Sequence, residues 1–279
     1  MDIIQRNFFN LLASAAPNKN MPLEPMSNFK WQRLIELVKG QKVERLALLG
    51  LNNLQNNQRA NIPENDIRAA AYAVSSKKSE KPGVSWDSMS PILQPPHLSN
   101  PLLDRRLRKI QQNERHEIDA SIVTVDLLNI IVHNAELILN RGISLNGIMQ
   151  LGNFLRTKGG EVDFVKLDNW LAKLHLTRFA QLEGSILISI FDFEQEEIPF
   201  VKTVEPKAYE LTLRTISHAA TDSAKEWHFR QRQAGFVENN SKVLRRNLRR
   251  SVRYMPFSPI ETTSNFIRNF ARSLSEIEE

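Results

Sequence analysis

The chain has 279 residues, of which 41% are apolar, so it is long enough for one large or two modest globular domains with real cores. It contains no cysteine, which excludes disulfides and thiolate metal sites and leads us to expect a cytoplasmic protein. The net charge is +6, a mild excess whose meaning depends on where the cations are concentrated.

The first 75 residues predict an N-terminal helical lobe. Its first helix is amphipathic, with Ile4, Phe8 and Leu11 on one side. A signal peptide is the alternative, but Asp2 precedes Arg6, the only nearby cation, and the apolar run is short. The further helices of this lobe are predicted after Ser27, through Leu46 and after Pro63.

Residues 76–100 interrupt the helical pattern. They contain four of the chain's thirteen prolines and no helical period, which predicts an irregular crossing between the first lobe and a C-terminal helical domain at 101–279. Asn100 and Pro101 then supply the cap and first-turn signals of a charged surface helix.

The stretch from residue 120 to 200 predicts the buried helical core. From Ile122 to Leu139, apolar residues fall on every side of a helical wheel, so we expect other helices to enclose this segment. It is too short and too polar for a membrane span, because four polar residues interrupt the apolar run: Asp126, His133, Asn134 and Glu136. Gly142 fits a left-handed helix end, and Ser144 and Asp163 fit the caps of the next two helices.

Beyond residue 200 the sequence predicts a helix after Pro206, one carrying Trp227, a basic helix near 240–254 and a last helix carrying Phe266 and Phe270. The basic helix is amphipathic, because its apolar and cationic residues separate on a helical wheel. The apolar residues are Leu244, Leu248 and Val252. The candidate binding residues on the cationic side are Arg245, Arg246, Arg249, Arg250 and Arg253.

Residues 225–253 contain nine lysines or arginines against two glutamates, a local net charge of +7 that exceeds the whole-chain excess. Such a helix could bind the phosphates of nucleic acid, an acidic protein or a lipid surface. The simpler interpretation, which we favour, is a solvated face whose arginines pair with acids such as those in EQEE or SEIEE.

The order of the segments resembles a bacterial family of uncharacterised nucleotidyltransferase-like proteins. The similar stretches are FFNLLASAA, WQRLIELVKGQKVERLALLGL, LLNIIVHNAELILNRGISL, EVDFVKLDNWLAKLHLTRFAQLEGSILI, EEIPF and RRSVRYMPFSPIETTSNFIR. The resemblance implies a catalytic core between the N-terminal helices and the C-terminal helical part, with a Gly-Ser turn and an Asp-x-Asp pair for two magnesium ions.

The chain departs from this pattern where the chemistry would lie. Residues 76–119 are too few for the catalytic sheet and lack an Asp-x-Asp pair, and Asp87 stands alone where a carboxylate and a histidine would be expected. Asn146 and Gln150 occupy positions at which the resemblance implies charged side chains. We therefore expect a shortened relative that has lost its catalytic module.

Two other candidate sites have simpler explanations. Gly184-Ser185 followed by Asp192-x-Glu194 imitates a nucleotidyltransferase signature, but the apolar spacing through these residues fits a helix better. His133 lies in a helix that should be buried, where a neutral, hydrogen-bonded imidazole is the expected state. The six histidines form no paired metal-ligand spacing on one helix.

The sequence thus predicts a non-catalytic helical protein that binds or regulates a protein partner, with no cofactor and no transmembrane segment. One alternative is a nucleic-acid-binding or acidic-partner-binding module that uses the Arg245–Arg253 helix. Another is a nucleotidyltransferase-type enzyme, or one half of a split enzyme whose other chain supplies the missing module.

Overall fold

The computed structural model describes residues 2–15, 21–54, 62–69, 95–114, 121–222, 230–231, 237–238 and 240–278. Within these ranges the fold is a mainly α-helical array of packed helices, as expected. The helices are α1 (Ile3–Ala13), α2 (Asn28–Gly40), α3 (Glu44–Asn53), α4 (Pro101–Asn113), α5 (Ser121–Asn140), α6 (Leu145–Lys158), α7 (Phe164–Lys173), α8 (Thr177–Phe191), α9 (Ala208–Asp222), α10 (Asn240–Tyr254) and α11 (Pro259–Glu278). Residues 64–69 are also helical, and Arg230–Gln231 pairs antiparallel with Val237–Glu238.

Helix α5 lies at the centre of the array. It contacts α6, α7 and α8, and also α10 and α11, from which Arg250 and Asn269 bond to Asn140 at the end of α5. Leu127, Leu128, Ile131 and Val132 are fully buried, which follows from an apolar surface that extends around most of the helix.

Local capping signals define the ends of the central helices as predicted. Gly142 adopts the left-handed conformation, with φ of 98°, and its N–H donates to the carbonyl of Ile138 at 3.1 Å. The Ser144 hydroxyl accepts from the Gly147 N–H at 3.3 Å, and the Asp163 carboxylate accepts from the Lys166 N–H at 2.9 Å. These turns make α5, α6, α7 and α8 close neighbours.

The N-terminal helices pack on the C-terminal part of the chain. Helix α1 contacts α2, α3 and α8, and α2 also contacts α9. Phe9 of α1 and Phe191 of α8 meet edge to face with ring centroids 6.5 Å apart. The buried apolar residues of the two expected lobes therefore form one continuous core. Most of the expected irregular crossing, residues 76–94, lies outside the described residues.

Candidate functional site

Helix α10 forms over the predicted residues but packs through an unexpected side. An amphipathic helix usually buries its apolar stripe. In α10, however, Leu248 and Val252 are 47% and 58% exposed. The side chains that face the protein are Asn247, Arg250, Ser251 and Tyr254, all of which are buried.

Arg250 explains part of this orientation. Its guanidinium donates to the backbone carbonyl of Asn140, the last residue of α5. Carbonyls in the last turn of a helix have no partner within the helix and attract positive charge. Arg250, which is only 6% exposed, therefore caps α5 and is unavailable to a ligand.

Tyr254 explains the rest. It is 1% exposed and packs against Phe179 and Phe257, with ring centroids 6.4 and 6.3 Å away. Burial raises the pKa of its phenol. The tyrosine thus anchors the end of α10 in an aromatic cluster.

The five predicted arginines are therefore distributed around the helix. Arg250 is buried, Arg246 and Arg253 are half-buried, and Arg245 and Arg249 are exposed. Arg245 and Arg249 are four residues apart and lie on one side of α10. The Cβ atoms of residues with this spacing are within about 6 Å of each other. The structure brings these two together with the exposed Leu248 and Val252.

We call Arg245, Leu248, Arg249 and Val252 the outer face of α10. Within the described ranges, neither Arg245 nor Arg249 forms an ion pair or a hydrogen bond through its guanidinium. In the EQEE stretch, Glu197 is engaged elsewhere, because Arg156 contacts it at 2.8 Å. The side chains of SEIEE lie outside the described part of the structure. The outer face thus combines available cations with exposed apolar surface.

The Gly184-Ser185 pair of the apparent nucleotidyltransferase signature lies within a helix. Gly184 and Ser185 are buried within α8. The Ser185 hydroxyl donates to the Gln181 carbonyl at 2.6 Å and accepts from the Glu205 N–H at 2.8 Å. It is therefore committed to joining α8 to the following loop, and this pair forms no phosphate-binding turn.

The two acids of the apparent signature, Asp192 and Glu194, lie at and just beyond the end of α8. Asp192 ends α8 in the left-handed conformation, with φ of 56°, and both Asp192 and Glu194 are exposed. Among the described residues, no three histidine, aspartate or glutamate side chains gather where they could hold a metal ion. Asp87 lies outside the described residues.

His133 is half-buried on α5, and this partial burial lowers the pKa of its imidazole. The lowered pKa favours the neutral imidazole, which is the form expected from the sequence.

Sequence reasoning missed a buried acid between α5, α6 and α8. Glu183 is 0% exposed, and the Asn134 amide donates to its Oε2 at 3.2 Å and to the Gly147 carbonyl at 3.1 Å. A Cβ atom on residue 147 would lie 2.1 Å from Asn134 Oδ1, so glycine makes this close approach possible. Burial raises the pKa of Glu183 well above its usual range, which favours a neutral carboxylic acid. The sequence signal was Asn134, one of several polar residues that interrupt an otherwise apolar helix.

A second missed acid joins α11 to the start of α4. The Glu261 carboxylate is buried and accepts from the backbone N–H groups of Ser99 and Asn100, the latter at 3.1 Å. The Asn100 amide also donates to the Ser264 hydroxyl at 3.0 Å. Burial raises the pKa of Glu261. These contacts fix the last residues of the expected crossing to α11.

None of the protein-family models, curated proteins or solved structures compared with the chain matches it. Contrary to the expectation from its polar residues, the segment Ile122–Asn140 of α5 is, among the described helices, long and apolar enough to cross a membrane. Half of its most apolar stretch is buried inside the fold. The core helix of a water-soluble protein has the same properties, so this segment decides nothing about a membrane.

Proposed function

We propose that this chain is a non-catalytic helical binding protein and that the outer face of α10 is its recognition surface. The observation that carries the proposal is the presence of Arg245 and Arg249, exposed and without ion pairs in the described structure, beside the exposed Leu248 and Val252. A helix that Arg250 and Tyr254 already hold against the fold does not need its outer face for packing. An unpaired cationic and apolar surface instead suits an anionic partner with apolar groups of its own.

The positions of the acids support a function without catalysis. Asp192 and Glu194 are exposed at the end of α8, and Glu183 and Glu261 are buried in separate parts of the fold. Two-metal phosphoryl transfer needs carboxylates that converge on one site. We therefore propose that the chain keeps the helical scaffold of a nucleotidyltransferase-like family without its active site.

A binding titration with defined anionic probes tests the proposal. The probes are an acidic helical peptide, single-stranded and duplex oligonucleotides, and vesicles that contain anionic lipid. We expect saturable binding to at least one probe that weakens as salt rises. The double variant Arg245→Ala/Arg249→Ala should lower the affinity about tenfold, an ordinary loss for two contacts at the centre of an interface.

The matched control is Arg105→Ala/Lys109→Ala. These two cations are also exposed and four residues apart, but they lie on α4. Equal losses in both double variants would show that net charge, and not the outer face, governs binding. Failure of every probe to bind would also refute the proposal.

A separate assay tests the absence of catalysis. We expect no nucleotide transfer from any nucleoside triphosphate in the presence of magnesium. Incorporation that disappears on Asp87→Asn or Asp192→Asn would overturn this part of the proposal and favour the enzyme alternative.

A further inference from the structure

We infer that the partner of the outer face of α10 is an acidic amphipathic helix of another protein. This inference rests on the proposed function and specifies the chemistry of the partner. Its basis is the spacing of the four residues and the kind of surface that they form together.

The apolar residues define a ridge along α10. Leu248 and Val252 are one helical turn apart, and Met255, 38% exposed, continues the same side just beyond the helix. Side chains spaced by three and four residues form the ridges that pack between the ridges of a second helix. A partner helix that places apolar residues at the same intervals would cover this ridge.

The arginines determine the charge of that partner. Arg245 and Arg249 follow one flank of the ridge, each three residues before one of its apolar members. An apolar helix lying on the ridge would bring its own flanking residues close to these guanidinium groups. Aspartate or glutamate at those positions would form charge-assisted hydrogen bonds, whereas lysine or arginine would be repelled.

Nucleic acid fits this surface less well. Phosphate binding requires several cations, and the outer face offers two with an apolar ridge beside them. Recognition of single strands also relies on exposed aromatic rings for base stacking. The aromatic residue of α10, Tyr254, is buried.

A membrane surface also fits less well. Helices that lie in the lipid interface present a long apolar side, commonly with tryptophan or phenylalanine. The exposed ridge of α10 consists of two aliphatic side chains extended by one methionine. This area suits contact with a single helix better than insertion into lipid.

The experiment uses the full chain and three labelled peptides of equal length. The first is a two-heptad helix with leucine at the ridge-facing positions and glutamate on the flanks. The second has lysine in place of every glutamate, and the third has the composition of the first in scrambled order. Fluorescence anisotropy should show saturable binding of the acidic helix and at least about tenfold weaker binding of the other two.

Variants of the chain then test both parts of the surface. We expect Leu248→Ala/Val252→Ala to weaken binding of the acidic helix by about tenfold or more, because the ridge supplies the apolar contact. Arg245→Glu/Arg249→Glu should transfer the preference from the acidic peptide to the lysine peptide. Thermal melting monitored by circular dichroism should show that all variants stay folded, with Tm values within about 4 °C of the unmodified chain, since the changed side chains lie at the surface.

The outcomes separate this inference from the proposed function. If oligonucleotides or anionic vesicles bind through the arginines while Leu248→Ala/Val252→Ala has no effect, the inference fails and the binding function stands. If the chain alone forms dimers that these variants dissociate, the occupant is a second copy and the inference fails. If the acidic helix does not bind saturably, the inference is also overturned.

Discussion

Helices α5 and α10 contact each other near the C-terminal end of α5, yet they differ in what they bury. Helix α5 buries leucine and isoleucine, and its buried amide, Asn134, is hydrogen-bonded. Helix α10 buries an arginine and a tyrosine and exposes a leucine and a valine. The apolar composition of α5 therefore determines which of its residues are buried. In α10, burial depends on the contacts that individual side chains make with other helices.

Approximate magnitudes explain the orientation of α10. Fully burying a large aromatic side chain is worth roughly 3 kcal/mol relative to leaving it exposed. Burying the exposed halves of Leu248 and Val252 instead would gain roughly 1 kcal/mol each. The tyrosine side therefore wins, and the Arg250 contact with the end of α5 adds to it. The two aliphatic side chains remain at the surface as a consequence.

The largest expected effect separates the two sides of α10. Tyr254→Ala should lower the free energy of unfolding by about 3 to 5 kcal/mol, because it leaves a cavity beside Phe179 and Phe257. Val252→Ala, on the exposed side, should change it by less than about 0.5 kcal/mol. Chemical denaturation of the three proteins measures both values.

Tyr254→Phe refines this test. It keeps the ring and its aromatic contacts and removes only the buried hydroxyl, so we expect a loss of no more than about 1 kcal/mol. If Tyr254→Ala and Val252→Ala were equally destabilising, the assignment of the buried side of α10 would be wrong.

The next effect compares two neighbouring arginines. Arg250→Ala should cost about 2 to 3 kcal/mol of unfolding free energy, because the Asn140 carbonyl loses a charged donor at the end of α5. Arg249→Ala should cost less than about 0.5 kcal/mol, because that side chain is exposed. Denaturant unfolding distinguishes the two. Similar losses at both positions would contradict the capping role of Arg250.

The features that sequence reasoning predicted correctly are local. The caps at Asn100, Ser144 and Asp163 depend on residues two or three positions away, and the structure confirms each one. Helical periodicity likewise depends on neighbours, so the mainly α fold could be predicted. The relationship to nucleotidyltransferase-like proteins stays a prediction.

The features that were missed depend on distant partners. Arg250 binds a carbonyl 110 residues earlier in the chain, and Glu183 meets an amide 49 residues earlier. A helical wheel shows only the residues of one helix and therefore neither of these partners. It could give the spacing of the α10 arginines, but not which of them would face the protein. For the same reason it gave no indication that Glu183 would be enclosed.

The smallest expected effect, when it is expressed per pH unit, concerns Glu183, on the side of the comparison that α5 represents. Burial raises the pKa of this carboxyl in the folded chain well above its usual value of 4.5. Above that pH, the folded chain retains a proton that the unfolded chain releases. The contribution of Glu183 to stability is therefore fully present below the unfolded pKa and declines as the pH rises toward the folded pKa, by at most about 1.4 kcal/mol per pH unit.

Glu183→Gln should remove this part of the pH dependence, because glutamine retains a carbonyl that can accept from Asn134 and has no proton to lose. Urea unfolding between pH 5 and pH 8 should therefore give a flatter profile for the variant than for the unmodified chain. Glu196→Gln, which removes the same charge at an exposed position, should leave the profile unchanged. Equal slopes in all three proteins would mean that the Glu183 carboxyl has the same pKa in the folded and the unfolded chain. It would then be ionised at neutral pH, and α5 would pack against a buried charge, as α10 does through Arg250.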